Sequence, residues 1–251
     1  MNLPRRFALA ALLLPFAPRH GEAAGVPQEP PYTRTIQARL RPGGPALQVR
    51  AKAEDLVSRL VRITVAGPGA PAGEVILASH YGGIGPLRLV RLRGRDVVVA
   101  GLTGLSGTGV SQQLGVLIAV DDQDRLRVIG IENLDAHESG TCESLATLTG
   151  RLAAGPGDGL HLDCAYKRTR GPCGPRRGRP PHLERWTDQL TWDGQGAVTA
   201  APAPAGSGPV RRAIAAARVK TAALLAQPVT DLQAFDMTET GLYELVLTPL
   251  A

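Results

Sequence analysis

Aromatic side chains are scarce in this chain: two Trp, four Tyr and three Phe in 251 residues. Cysteine is scarce too, with three, and no apolar run reaches the roughly 20 residues that a membrane span needs. Few cysteines exclude a disulfide-dense scaffold. The glycines follow no three-residue period, which excludes a collagen-like chain. Intrinsic disorder is excluded by what is present, since hydrophobic residues make up 43% of the sequence and offset chain entropy. With 30 Gly and 21 Pro, the chain is heavily punctuated, and short elements are expected.

The N-terminus reads as an export signal over residues 1–24. Arg5 and Arg6 open it, an apolar run from Phe7 to Ala17 follows, and small residues stand at Gly21, Ala23 and Ala24. Phe7 follows the arginine pair directly, so the twin-arginine pattern is incomplete and an ordinary positive start is the simpler reading. Residues 25–32 form a Pro-rich lead-in. The expected location is periplasmic or secreted. In such an oxidising compartment one disulfide is expected, with Cys142 and Cys164 the favoured pair and Cys173 the other option.

Short β-compatible runs dominate from residue 33 onward. Val61, Ile63 and Val65 alternate with polar residues as a half-buried strand requires, whereas Val97 to Val99 is apolar on both faces and belongs in a sheet interior. Leu114 to Val120 and Leu126 to Ile131 flank a polar Asp-rich turn, and Leu190 and Trp192 precede a second, Asp193-Gly194-Gln195-Gly196. Ala51 to Leu60 is ambiguous, with a helix as one option. Residues 200–208 are a low-complexity linker leading to a helix over 209–227. Ser207 can cap that helix, Pro209 opens it, and Val210, Ile214, Ala217, Thr221, Leu224 and Leu225 make its apolar stripe. Tyr243, Leu245 and Leu247 suggest a last strand. The expectation is a single mainly β domain over 33–251: an antiparallel sheet, sandwich or open barrel-like, with one C-terminal helix packed on it.

Charge is uneven. The chain holds 28 basic and 22 acidic side chains, a net of +6. Between Tyr166 and Arg185, Lys167, Arg168, Arg170, Arg176, Arg177, Arg179 and Arg185 face only Glu184. Such a run can bind anions. Nucleic acid is not the expected partner, because base-stacking aromatics are few; an anionic polysaccharide or lipid surface fits an exported protein better.

The motifs of common catalysis fail on inspection. Around Ser106, Gly104 stands where a nucleophile elbow needs it, but Thr108 occupies the second glycine position. No Lys-Ser or Lys-Thr pair completes a phosphate loop, and Gln112 replaces the third glycine of a dinucleotide fingerprint. Residues 101–109 thus read as a mobile loop. Glu132, Asp135, His137, Glu138 and Cys142 cluster without zinc spacing, and Asp121, Asp122 and Asp124 lack the rest of a calcium loop. His161 and Asp163 share one face of a strand. No cofactor or metal is expected. The reading is an exported envelope or binding protein that engages an anionic partner through the basic segment; the alternative is a periplasmic hydrolase using Ser106 or a site near His137.

Overall fold

A computed structural model describes residues 33–54, 59–80, 83–140, 145–169 and 180–226. The leader, Cys142, Cys173, Arg170, Arg176, Arg177, Arg179 and the expected strand at Tyr243 lie outside them. The described chain is mainly β, with two antiparallel sheets and one helix. The first sheet is a meander of β1 (Thr33–Ala38), β2 (Leu47–Ala53), β3 (Leu60–Ala66) and β4 (Val75–Ala78).

The second sheet holds eight strands, also in chain order. They are β5 (Ile84–Leu92), β6 (Arg95–Gly107), β7 (Val110–Val120), β8 (Leu126–Ser139), β9 (Leu145–Ala154), β10 (Leu160–Thr169), β11 (His182–Thr191) and β12 (Thr199–Ala200). The helix α1 (Pro209–Leu225) follows.

Apolar periodicity explains the layering. In β2, Leu47, Val49, Ala51 and Ala53 are buried and the residues between them exposed, so the small sheet has one dry face. That face meets Val98, Ala100, Leu102, Leu114, Val116 and Ile118 of the large sheet in one core. The opposite face of the same strands puts Val97, Val99, Leu117 and Ala119 into a second core with Leu160, Leu162, Leu190, Trp192 and the helix residues Val210 and Ile214. Strands β6 to β8 are therefore covered on both faces, which is why their sequences run apolar without alternation.

Register shifts between Gln113 and Leu114 and between Leu117 and Ile118 bend the β7–β8 pair. The large sheet rolls so far that β5 lies against β9 and β10, four and five strands away in the sheet order. Sandwich and open-barrel features thus coexist.

Three local expectations need correction. Residues 101–109 are not a mobile loop: β6 runs to Gly107, Val110 opens β7, and only Thr108 and Gly109 turn, Gly109 at φ +80°. The glycines serve packing there, since a Cβ on Gly104 would lie 2.5 Å from Gln112 Oε1. Ala51 to Ala53 are strand, because the alternation of β2 continues through them. The N-cap of α1 is Gly208, not Ser207, and it makes no side-chain cap bond. The Glu184 carboxylate of β11 takes that role, accepting the Val210 and Arg211 N–H groups at 3.2 Å each.

Candidate functional site

Two groups of charged residues stand out, and they differ in whether their charges are matched. The first is buried where α1 crosses β8 and β11. Arg218 donates to Glu132 Oε1 at 2.7 Å and to Asp188 Oδ2 at 2.6 Å. Arg211 donates to Asp188 Oδ1 at 2.8 Å, and the Trp186 indole N–H to Asp188 Oδ2 at 2.9 Å. Burial pushes the Asp188 carboxyl up, but the Arg218, Arg211 and Trp186 contacts outweigh it and hold it below the usual carboxylate range. Burial also pushes Glu132 up; there Arg218 offsets only part of the rise and the Asp188 charge adds to it. Arg218 pays a burial penalty too, yet the two carboxylates hold it firmly protonated. Sequence reading of charge runs did not separate Arg211 and Arg218 from a solvated helix face; the signal was their i, i+7 spacing beside the apolar stripe.

Cys164 sits on the same buried face of β10, opposite Trp186 and Gly150. It is a free thiol and not the disulfide partner of Cys142 that the sequence suggested, and burial pushes its pKa up to about 12. A nucleophilic thiolate needs the opposite environment.

The second group covers the other face of β9 to β11. Register places Arg151 beside Asp163, Arg185 beside Ala165, and Lys167 beside Leu183, all on one side of the sheet. Arg151, Lys167 and Arg185 are exposed and form no ion pair among the described residues. Asp163, the one acid in that row, accepts the Thr187 hydroxyl at 2.6 Å. Arg168 has the alternation of Cys164 and Tyr166 and falls on the opposite face of β10, beside Tyr166. Leu183, 60% exposed, stands within the row of cations. An open depression of about 550 Å³ lies over Thr149, Arg151, Asp163, Arg185 and Thr187. Of the expected anion-binding residues, Lys167 is placed here and Arg168 is not, the other four lie outside the described residues, and Arg151 was not foreseen. Arg151 lies 15 residues from the basic segment and only strand pairing brings it in.

Ser106 and His137, the residues of the hydrolase alternative, lie on β6 and β8. Ser106 pairs with Ser111 across β6 and β7, and Ser111 pairs with His137 across β7 and β8. The backbones of Ser106 and His137 are thus two interstrand steps apart, roughly 10 Å. Among the described residues no group of three or more His, Cys, Asp or Glu could hold a metal ion. Asp121 instead organises its own turn, accepting the Gln123 and Arg125 N–H groups at 2.9 Å each, and Asp122 pairs with Arg95. His161 and Asp163 do share an edge of β10, and Asp163 is spoken for by Thr187. No described helix is long and apolar enough to cross a membrane. Comparison with family models, curated proteins and solved structures gives no match.

Proposed function

We propose that this is an exported, non-catalytic binding protein whose outer face of β9 to β11 engages an anionic lipid surface. The observation that carries the reading is the row of unpaired cations, Arg151, Lys167 and Arg185, with the exposed Leu183 set among them. Unpaired guanidinium and ammonium groups on one face sum their potentials and attract a polyanion. Leu183 favours lipid over polysaccharide, because an apolar side chain gains from a bilayer interface and not from a hydrated sugar chain. Arg170, Arg176, Arg177 and Arg179 follow Lys167 in sequence and lie outside the described residues.

Sedimentation with vesicles tests the reading. The protein should bind vesicles rich in phosphatidylglycerol, bind phosphatidylcholine vesicles weakly, and release as salt rises. Replacing Arg151, Lys167 and Arg185 by Ser should reduce the bound fraction about tenfold at low salt, and Leu183→Ser should weaken binding further without changing its salt dependence. Undiminished binding by the triple variant would overturn the proposal, and retention on an anionic polysaccharide with no vesicle binding would replace the lipid by a glycan.

A further inference from the structure

Among the described strands no pairing closes the rolled sheet, and an open cavity of about 310 Å³ lies at the seam between β5 and β9. Its apolar lining comes from Val90 of β5, Val99 of β6, Leu134 of β8 and Leu152 of β9. Three charged side chains line the same cavity, Arg88 from β5, Arg151 from β9 and Asp135 from β8. All three are exposed, and none forms an ion pair or side-chain hydrogen bond among the described residues. Elsewhere in the protein carboxylates beside arginines pair with them, as Asp122 does with Arg95 and Asp124 with Arg41. A cavity with apolar walls and a few converging polar groups has the composition of a small-molecule site, at the lower end of the usual volume range.

We infer that the seam holds a single-chain aliphatic monocarboxylate, its chain against the leucine and valine walls and its head between Arg88 and Arg151. Charge complementarity selects the head: two guanidinium groups and one carboxylate leave a local charge of +1, matched by a monoanion. Guanidinium also binds carboxylate through two parallel N–H···O bonds, which fixes orientation as well as charge. The chain end is selected by the walls, which offer no hydrogen-bond partner and are stabilised by contact with methylene groups. This site is separate from the lipid-docking face and shares only Arg151 with it.

Titration of dodecanoate below its micellar concentration, followed by heat release, tests the inference on the whole protein. One molecule should bind per chain, and dodecanol should bind at least tenfold more weakly. Gly101 lines the cavity, and a Cβ there would meet its nearest neighbours, Gly85 Cα and the Pro86 carbonyl oxygen, at 3.4 and 3.5 Å, which is ordinary contact. Gly101→Leu should therefore fill the cavity and abolish binding. Arg88→Gln lies on an exposed position of β5, preserves the fold, and should weaken dodecanoate about tenfold while leaving dodecanol unchanged. Neither variant touches the β9–β11 face, so vesicle binding stays intact and the two proposals fail separately. Equal affinity for dodecanoate and dodecanol, undiminished binding by both variants, or no saturable 1:1 binding would each overturn the inference.

Discussion

The ion pairs under α1 and the cations on the outer face of β9 to β11 are built from the same kinds of charged residue, and in β11 they take opposite faces of one strand, Asp188 inward and Arg185 outward. Under the helix every charge has a counter-charge within 3 Å, and the side chains of Glu132, Asp188 and Arg218 are at most 10% exposed. On the outer face Arg151, Lys167 and Arg185 have none among the described residues. Desolvation explains the first arrangement: a buried charge is tolerated only when paired and hydrogen-bonded. The second arrangement gains nothing for folding, because exposed charges contribute little to stability. Internal pairing therefore marks the charges that hold α1 on the sheet, and unpaired charge marks those free for a partner.

The largest effect is expected where that contrast is broken from the inside. Arg218→Met leaves Glu132 without its cation and Asp188 with Arg211 alone, and should cost about 3–5 kcal/mol in urea unfolding. The same variant should change the acid limb of stability. Asp188 is held below its ordinary range in the folded state, so it stabilises the fold above about pH 4 and loses that contribution as pH falls through its lower folded value. Without Arg218 most of that depression disappears, and stability should fall less steeply in the variant as pH drops below about 4. Glu132, held up by burial, has the opposite sign: its effect on stability grows less favourable as pH rises above about 4.3. An unfolding midpoint within error of the wild type would mean that the cluster does not hold the helix.

Much of this layering was legible in the sequence. The unbroken apolar run at Val97 to Val99 announced a strand covered on both sides, and the Asp-rich turn at 121–124 announced the β7–β8 hairpin. The helix stripe was legible as well, with Val210, Ile214, Ala217, Thr221 and Leu225 all buried. What could not be read was anything that depends on which strands meet across the fold. Gly104 resembles part of a flexible loop until Gln112 is seen occupying the space its missing side chain leaves. Glu184 reads as the lone acid in a basic segment, but α1 folds back over β11 and uses it as a cap. Arg88 and Arg151 are 63 positions apart, and only the rolling of the large sheet puts them on one cavity. Local periodicity reports burial, while site assembly is set by long-range register.

A smaller effect is expected at that cap, where the matched and unmatched regions touch. Glu184 lies in the basic segment, yet its carboxylate is turned inward to the first N–H groups of α1 and also meets His182 Nε2 at 2.8 Å. Glu184→Ala leaves those N–H groups without an acceptor at the positive end of the helix, and should cost about 1 kcal/mol. Native hydrogen exchange is the sharper measurement, since protection should fall first at the start of α1, around Val210 to Arg212, and leave β6 to β8 unchanged. Uniform loss of protection would mean that the helix start and the sheet unfold as one unit.

The smallest stability effect belongs to the residues with the largest proposed role. Arg88, Arg151, Lys167 and Arg185 make no ion pair among the described residues, so replacing each by Gln or Ser should shift unfolding by no more than about 0.5 kcal/mol. Removing one of several like charges from a face also relieves repulsion, and a slight stabilisation is the expected direction for Lys167 and Arg185 at low salt. Measured beside vesicle and dodecanoate binding, this separates two meanings of a basic residue. A charge that serves folding loses stability when removed and a charge that serves a partner loses only the partner, so a loss above about 1 kcal/mol at any of the four would return that residue to the structural group.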